Sequence, residues 1–469
     1  MVDPPSLLLQ YASALPGFWK TQGKLQFRHS LYAFTCRREA EPDPLWSVRS
    51  EAHDINRGAA YPGNQRNVTI RSGSRGDRKM KTLPRSHSTI SLLACLLVAA
   101  ACGFAKKSVD PAPEPKPPGL GCSSINIVNH GYSVFGKNLD NSYTTEGLIL
   151  INKRGVERTG RYVSTTGARA RWISQYASVN FSFVHVGYVW TGMSEKGLVI
   201  SMMGIPEIVG PPPDERPPLQ DGLWIQYMLD TCETVDEVLE AAKDLRILTR
   251  DHYHIADRFG KSAAFECLRG EEIFYQGDEF PVSVLTNSTY SDSIRAWSRY
   301  NQYGFPPANG SLERFFIAAD NIGEFASTDA DSAVEYVFKT LHDIRSEHIY
   351  GYPNTTEWSF VFDTRNRRVY FRTHSHPGIK YFDLRDFNVS CRNSVQMLDV
   401  QTPLSGDVFP FFQDVTFEAA CDHFRHFMES FNGLSPSQSE IENELSYYMN
   451  FPCRGLASTP RRSSGRRPQ

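Results

Sequence analysis

The chain has 469 residues, of which 12% are aromatic and 22% are charged, and its formal net charge is −2. Near-balanced charge without a basic stripe argues against a nucleic-acid-binding protein. The length would allow two average domains, but the first 121 residues lack the patterns of a folded domain. We therefore expect one domain, over residues 122–453.

The N-terminal part of the chain has the features of an export signal. Residues 1–79 mix Arg, Ser, Gly, Pro and aromatics without helix or strand periodicity. After Met80, a basic stretch at 81–87 precedes an apolar run from Ile90 to Ala101, which is the pattern of a secretory signal. The run is too short for a membrane span, which needs about 20 apolar residues. We expect an exported protein that starts at Met80, with 1–79 absent from the mature protein or poorly ordered.

The signal segment, 80–102, ends at Cys102. The small residues before this Cys resemble a weak lipobox, in which the Cys would carry a lipid and tether the protein to a membrane, but Ala99-x-Ala101 also suits ordinary signal peptidase. Residues 103–121 are rich in Pro and predict an extended spacer or propeptide. Lipidation at Cys102 and cleavage by signal peptidase both imply an exported protein, which is periplasmic, membrane-anchored or secreted.

From residue 122 onward, short apolar alternations between Gly and Asn turns predict strands, and helical spacing predicts helices. The predicted strands are 124–128, 133–135, 147–151, 181–189, 197–203, 252–257, 263–267, 273–275, 282–285, 359–363 and 369–373. The predicted helices are 219–231, 235–245, 293–303, 312–321 and 330–343. This order suits stacked sheets covered by helices. The Arg- and Ser-rich tail, 454–469, is predicted to be disordered.

The cysteines after Cys122 are odd in number, which allows at most two internal disulfides in an exported protein. The best-placed members are Cys391, Cys421 and Cys453, and their pairing is not deducible from the sequence.

Cys122 is the candidate nucleophile. If processing made it the first residue of the mature chain, its freed α-amino group, with a pKa of about 8, could take the thiol proton. Asp140 follows eighteen residues later, just beyond one strand and a turn, where it could accept a hydrogen bond from that amine. The alternative is a buried structural Cys, with Asp140 opening a turn.

The wider pattern favours the functional interpretation. Four motifs occur in order: G-C-S-S-I at 121–125, F-G-K-N-L-D at 135–140, G-M-S-E-K-G-L at 192–198 and V-L-T-N-S-T-Y at 284–290. Together they resemble the choloylglycine hydrolase and penicillin V acylase family of linear amide hydrolases, over about residues 122–385. The resemblance implies an α+β fold, the four-layer αββα sandwich of the N-terminal nucleophile hydrolases, and a thioester mechanism without a cofactor or metal.

The same resemblance assigns further site residues. It implies that the Asn287 side chain and the backbone N–H of Gly204 stabilise the oxyanion, and that Arg314 supports Cys122 electrostatically. A turn Asn and a solvated helix Arg are the alternatives. Lys137 stands where the family usually has Arg, so it keeps the charge that favours a thiolate but loses the bidentate fork.

The resemblance implies a small N-acyl amide substrate: an aryl- or fatty-acyl amide, a penicillin V-like compound or an acyl-homoserine lactone-like one. Bile-salt conjugates are less favoured, because bile-salt-cleaving members often have Asn where this chain has Gly204. Homo-oligomer formation stays open.

Two other functions compete. His252-x-His254 and His374-x-His376 each place two imidazoles on one face of a strand, a geometry that a metal-dependent hydrolase could use. An exported binding lipoprotein that has lost activity is the second alternative, and Lys137 is its best argument.

Overall fold

A computed structural model describes residues 121–141, 144–206, 208–326, 330–348 and 354–455. The segments predicted as leader and lipid-bearing Cys102, residues 103–120 of the predicted spacer and residues 456–469 of the tail lie outside the described residues. Gly121, the last residue of the predicted spacer, lies in the first strand. Among the described residues, no helix is both long enough and apolar enough to cross a membrane.

The described residues form twenty strands and seven α-helices. The strands are β1 (Gly121–Asn129), β2 (Tyr132–Asn141), β3 (Leu148–Asn152), β4 (Glu157–Thr159), β5 (Arg171–Ile173), β6 (Ser178–Ser182), β7 (Thr191–Ser194), β8 (Val199–Gly204), β9 (Pro218–Gln220), β10 (Arg246–Leu248), β11 (Asp251–Ala256), β12 (Ser262–Leu268), β13 (Glu271–Gln276), β14 (Val284–Leu285), β15 (Thr355–Asp363), β16 (Arg368–Thr373), β17 (Lys380–Asp383), β18 (Gln396–Asp399), β19 (Gly406–Asp407) and β20 (Gln413–Asp414). The helices are α1 (Asp221–Thr231), α2 (Val235–Ala242), α3 (Tyr290–Tyr303), α4 (Gly310–Glu324), α5 (Ala330–Asp343), α6 (Phe417–Asn432) and α7 (Gln438–Met449).

Two large sheets form the centre of the fold. The first has the strand order β14-β1-β2-β15-β16-β17-β19, and the second has the order β13-β12-β11-β8-β7-β6-β3-β18-β20. The sheets face each other, since β1 contacts β8 and the rings of Phe181 and Phe360 lie 4.0 Å apart across the interface. Helices α4 and α5 cover the first sheet, and α1 packs on β7 and β8 of the second. The predicted four-layer αββα arrangement is confirmed.

The hairpin of β1 and β2 has a local cause. His130 and Gly131 form its two-residue loop, with φ values of 49° and 78°. Two positive φ angles are the requirement of a type I′ turn, which matches the twist of the flanking strands. The loop fixes the register of the two strands, in which Cys122 pairs with Leu139 and Gly121 with Asp140.

Most predicted elements are confirmed, and two need correction. The predicted strand 181–189 is wrong beyond Ser182, because the Ser182 hydroxyl accepts hydrogen bonds from the N–H groups of Val184 and His185 and turns the chain. The predicted helix 219–231 begins only at Asp221, since 218–220 pair with β10 as a strand. Helices α6 and α7 were not predicted.

One disulfide joins Cys391 to Cys453 within the described part of the chain. It connects the segment before β18 to the residues after α7, 62 positions away. Cys421, the third candidate, is a free and buried thiol on α6.

Candidate active site

Cys122 lies in the buried first strand, beside the end of β2. Its exposed fraction is 2%, and its peptide N–H donates to Asn287 Oδ1 at 2.8 Å. Gly121 continues the strand on its N-terminal side and pairs with Asp140. With Gly121 attached, the nitrogen of Cys122 is therefore an amide and not an amine.

Arg314 is the centre of the polar network around Cys122. It projects from α4, is fully buried, and donates to Asp140 Oδ2 at 2.7 Å and to Asn287 Oδ1 at 2.9 Å. It also donates to the Cys122 carbonyl and the Ser123 hydroxyl, both at 3.1 Å. The alternative of a solvated helix Arg is wrong, because the guanidinium binds three segments of chain at once.

Asp140 is held by two donors. Arg314 binds one carboxylate oxygen, and the Thr356 hydroxyl donates to the other at 2.6 Å. Burial raises the pKa of Asp140, whereas Arg314 and Thr356 lower it. The expected hydrogen bond from a freed Cys122 amine to Asp140 concerns the processed chain and stays a prediction.

Asn287 follows β14 and lies between Cys122 and Gly204. Its Oδ1 accepts from the Cys122 N–H and from Arg314, which fixes the orientation of the amide. Its Nδ2 donates to the Gly204 carbonyl at 2.8 Å. An amide nitrogen carries two protons, so one N–H remains for an oxyanion. Asn287 and Gly204 are both partly exposed, unlike Cys122 and Arg314.

Lys137 reaches the thiol from β2. Its Nζ donates to the Met202 carbonyl at 3.0 Å and lies 4.5 Å from the centre of the Trp190 ring. Burial lowers the pKa of Lys137, and its interactions with the Cys122 thiol oppose this shift. A single buried ammonium therefore lies beside the Cys122 thiol.

The surroundings of the Cys122 thiol disfavour its ionised form. Burial raises the pKa of Cys122 to about 11, and the positive charge of Lys137 is the largest opposing influence. A buried thiol with a raised pKa holds its proton at neutral pH, and the Cys122 nitrogen, as an amide, cannot accept that proton.

Comparisons with known proteins find relatives that are amide hydrolases. The family model for linear amide C–N hydrolases of the choloylglycine hydrolase family matches residues 122–311. Over these residues the chain is similar to the choloylglycine hydrolase family of linear amide hydrolases. A penicillin V acylase from Pectobacterium atrosepticum is 23% identical over 315 residues, which cover 58% of this chain and 82% of that protein.

Two solved structures show the same fold. A penicillin V acylase from Agrobacterium tumefaciens has a TM-score of 0.56 at 22% identity, covering 63% of this chain and 98% of that one. A single-substitution variant of a conjugated bile acid hydrolase from Clostridium perfringens has a TM-score of 0.52 at 18% identity, covering 61% of this chain and 98% of that one.

The first histidine pair lies next to this site and is not arranged as a metal centre. His252 contacts Glu266 Oε1 at 2.9 Å and the Thr286 carbonyl at 2.7 Å, next to Asn287. His254 contacts the hydroxyls of Ser124 at 2.8 Å and Ser283 at 3.0 Å. All four ring nitrogens are thus engaged by protein groups.

The second pair lies near the surface, where His374 Nδ1 is 3.4 Å from Glu347 Oε1 and His376 is partly exposed. Within the described ranges, no group of three or more His, Cys, Asp or Glu side chains is arranged to hold a metal ion. The structure therefore gives the metal-dependent alternative no support.

The sequence did not indicate two residues that contact the site. Thr356 binds Asp140 from 216 positions away, at a β-bulge where the register of β15 shifts between Thr356 and Trp358. Bulges redirect side chains beside active sites, and no sequence signal marks this one. Trp190, beside Lys137, lies two residues before the third motif, and only that proximity in the sequence could have suggested its role.

Proposed function

We propose that this protein hydrolyses the amide bond of a small N-acyl compound with Cys122 as an N-terminal nucleophile. The observation that carries the proposal is the buried network in which Arg314 binds Asp140, Asn287 and the Cys122 carbonyl together. The family model also begins its match at Cys122. In the proposal, cleavage of the Gly121–Cys122 bond precedes activity.

Cleavage would supply the missing base. The new α-amine, with a pKa of about 8, lies on the same residue as the thiol and replaces an amide nitrogen that cannot accept a proton. Asn287 Oδ1, which accepts the Cys122 N–H at 2.8 Å, is placed to orient the amine. Asn287 Oδ1 can therefore accept a hydrogen bond from the Cys122 nitrogen both before and after cleavage.

The reaction follows in two steps. The Cys122 sulfur attacks the amide carbonyl carbon while the α-amine takes the thiol proton, and the carbonyl oxygen becomes an oxyanion. The tetrahedral intermediate then collapses: the C–N bond breaks, the leaving amine takes the proton from the α-ammonium, and a thioester remains. Water attacks the thioester with the α-amine as base, which releases the acid and restores the thiol.

The remaining site groups stabilise charge. The second Nδ2 proton of Asn287 and the backbone N–H of Gly204 are the proposed oxyanion donors, and one such donor typically contributes about 10²–10³ in rate. Lys137 provides a positive charge beside the sulfur, which favours the thiolate. In this proposal the Lys137 ammonium supplies the positive charge that Arg supplies in the family. The buried network around Cys122 gives no support to the alternative of a binding protein without activity.

The substrate class rests on the relatives. Proteins named penicillin V acylase and conjugated bile acid hydrolase are among those similar to this chain, which supports a small acyl amide and does not select one acyl group. We also propose that the protein is exported, because residues 80–102 have the pattern of a secretory signal; these residues lie outside the described part of the structure.

The test examines both the N-terminus of the active enzyme and the formation of the acyl-enzyme. Intact-mass analysis of the active enzyme is expected to show Cys122 as the first residue, and incubation with an aryl-acyl amide is expected to add the acyl mass to it. Cys122→Ala should abolish turnover, whereas Cys421→Ala, which alters another free buried thiol, should retain it. Full activity in a chain that keeps residues 103–121, or normal turnover by Cys122→Ala, would disprove the mechanism.

A further inference from the structure

Asp251 is a carboxyl beside the proposed oxyanion hole that has no role in the mechanism above. It is the first residue of β11 and pairs directly with Gly204, the last residue of β8. Directly paired residues of adjacent strands place their side chains on the same face. A Cβ atom at position 204 would lie 3.6 Å from Asp251 Oδ1 and, among the described residues beyond its chain neighbours, would have no other contact within 4 Å. The Asp251 carboxyl therefore borders the open space over Gly204.

The side chain of Asp251 has room for an external partner. In the described structure its backbone N–H donates to the Thr249 hydroxyl at 2.9 Å, but no described group donates a hydrogen bond to its carboxyl oxygens. The residue is partly exposed, as is Gly204. Polar groups inside a site are normally hydrogen-bonded, so this carboxyl is available to a bound molecule.

The charges around Asp251 come from several elements. Asp221 faces it from the first turn of α1, Lys137 from β2 and Cys122 from β1. Tyr188 lies in the segment between β6 and β7, Tyr253 is on β11 itself, and Arg250 precedes that strand. Two carboxyls and two cations thus share this corner of the site.

The two carboxyls differ in their partners. Asp221 Oδ1 accepts the Tyr253 hydroxyl at 2.7 Å, which stabilises its ionised form. Burial and the charge of Asp221 raise the pKa of Asp251 to about 8, although Lys137 and Arg250 lower it. Of two neighbouring carboxyls that titrate together, Asp251 is therefore the one that keeps its proton near neutral pH.

We propose that Asp251 is a substrate-contacting, specificity-determining residue, which as a neutral carboxylic acid donates a hydrogen bond to an acceptor oxygen of the bound amide in the space over Gly204. This inference rests on the proposed amide hydrolysis. The neutral acid can approach the developing oxyanion without repulsion, as an ionised carboxylate cannot. It also favours amides with neutral or anionic polar groups beside the scissile bond over amides with cationic ones.

The experiment compares Asp251→Asn, Asp251→Leu and the control Asp278→Asn, which changes an exposed carboxyl of a surface turn. Two quantities are measured from about pH 5 to pH 9 on folded, processed protein. One is kcat/KM for a matched pair of N-acyl amides with anionic and cationic leaving amines. The other is the rate at which iodoacetamide alkylates Cys122, which does not depend on turnover.

The parent enzyme is expected to lose activity above about pH 8, as Asp251 ionises, and to prefer the anionic leaving amine below that pH. Asp251→Asn keeps a hydrogen-bond donor in the same place, and this amide does not ionise. The loss of kcat/KM above about pH 8 that Asp251 causes should therefore be absent in this variant. Asp251→Leu should be slower by about 10²-fold at pH 6 through loss of the donor. Because the Asp251 charge raises the thiol pKa, Asp251→Asn should also shift the alkylation profile of Cys122 to lower pH.

Other results would overturn the inference. One is an identical pH profile for the parent, Asp251→Asn and Asp251→Leu, with unchanged alkylation of Cys122. Another is a loss in Asp251→Asn restricted to the cationic leaving amine, since Asp251 would then act as an ionised cation binder. If the parent cleaves no N-acyl amide at all, the proposed function fails, and the inference fails with it even where the alkylation profile shifts.

Discussion

Replacing Arg314 with Met tests whether the buried network holds the site together. The side chain is fully buried, and its ion pair with Asp140 is 2.7 Å long with both partners at 0% exposure. Removing one partner of a buried pair typically costs about 3–5 kcal/mol, because it leaves an uncompensated charge. Arg314 also binds Asn287 and the Cys122 carbonyl, so we expect about 4 kcal/mol of lost unfolding free energy together with loss of turnover.

A double-mutant cycle separates the interaction energy of the Arg314–Asp140 ion pair from the other effects of each substitution on stability. Asp140→Asn alone should cost less, because the guanidinium keeps its other acceptors. The Arg314→Met, Asp140→Asn double variant should be more stable than the sum of the single losses predicts, by about 1–3 kcal/mol. Urea unfolding followed by fluorescence and circular dichroism measures all three variants against the parent.

The pH dependence gives a second check. Burial already raises the pKa of Asp140, and without Arg314 it should rise further. A carboxyl whose folded pKa exceeds its unfolded value of about 3.9 contributes stability that is complete at low pH and is lost as pH rises through the folded pKa. The deficit of Arg314→Met should therefore be larger at about pH 8 than at about pH 5. A deficit below about 1 kcal/mol, or strict additivity in the cycle, would refute the reasoning.

Two further predictions concern other buried groups. Lys137→Arg should preserve kcat/KM or raise it, and Lys137→Met should lower it by removing the charge that favours the thiolate; parent-like kinetics of the folded Met variant would remove Lys137 from the mechanism. Burial lowers the pKa of His185 to about 3, so stability is complete above about pH 6.5 and falls as pH drops below it, by about 2 kcal/mol at pH 5. His185→Asn, which keeps an acceptor for the Gly187 N–H, should reduce the fall in Tm between pH 7 and pH 5, and an equal fall would contradict the assignment.

Local sequence determined the neighbourhood of Cys122 and Asp140. The two residues are eighteen positions apart, and a two-residue turn at His130-Gly131 with positive φ angles joins their strands. Turn chemistry and the alternation of apolar residues set the register of such a hairpin without help from the rest of the fold. The same patterning predicted most strands and five of the helices. It failed at 181–189, where one Ser hydroxyl ended the strand inside an apolar run.

Only the tertiary structure decided how the distant groups meet. Asn287, Arg314 and Thr356 approach Cys122 and Asp140 from 165 to 216 positions away, through the pairing of β14 with β1, the packing of α4 on β1 and the bulge in β15. Motif resemblance named Asn287 and Arg314 in advance, but their partners depend on which strands become neighbours. Asp251 shows the limit most clearly, because it acquires its place beside Gly204 from the register of β11 against β8. Strand order and register across a sheet follow from the burial of whole faces, a property of the packed chain that no local segment contains.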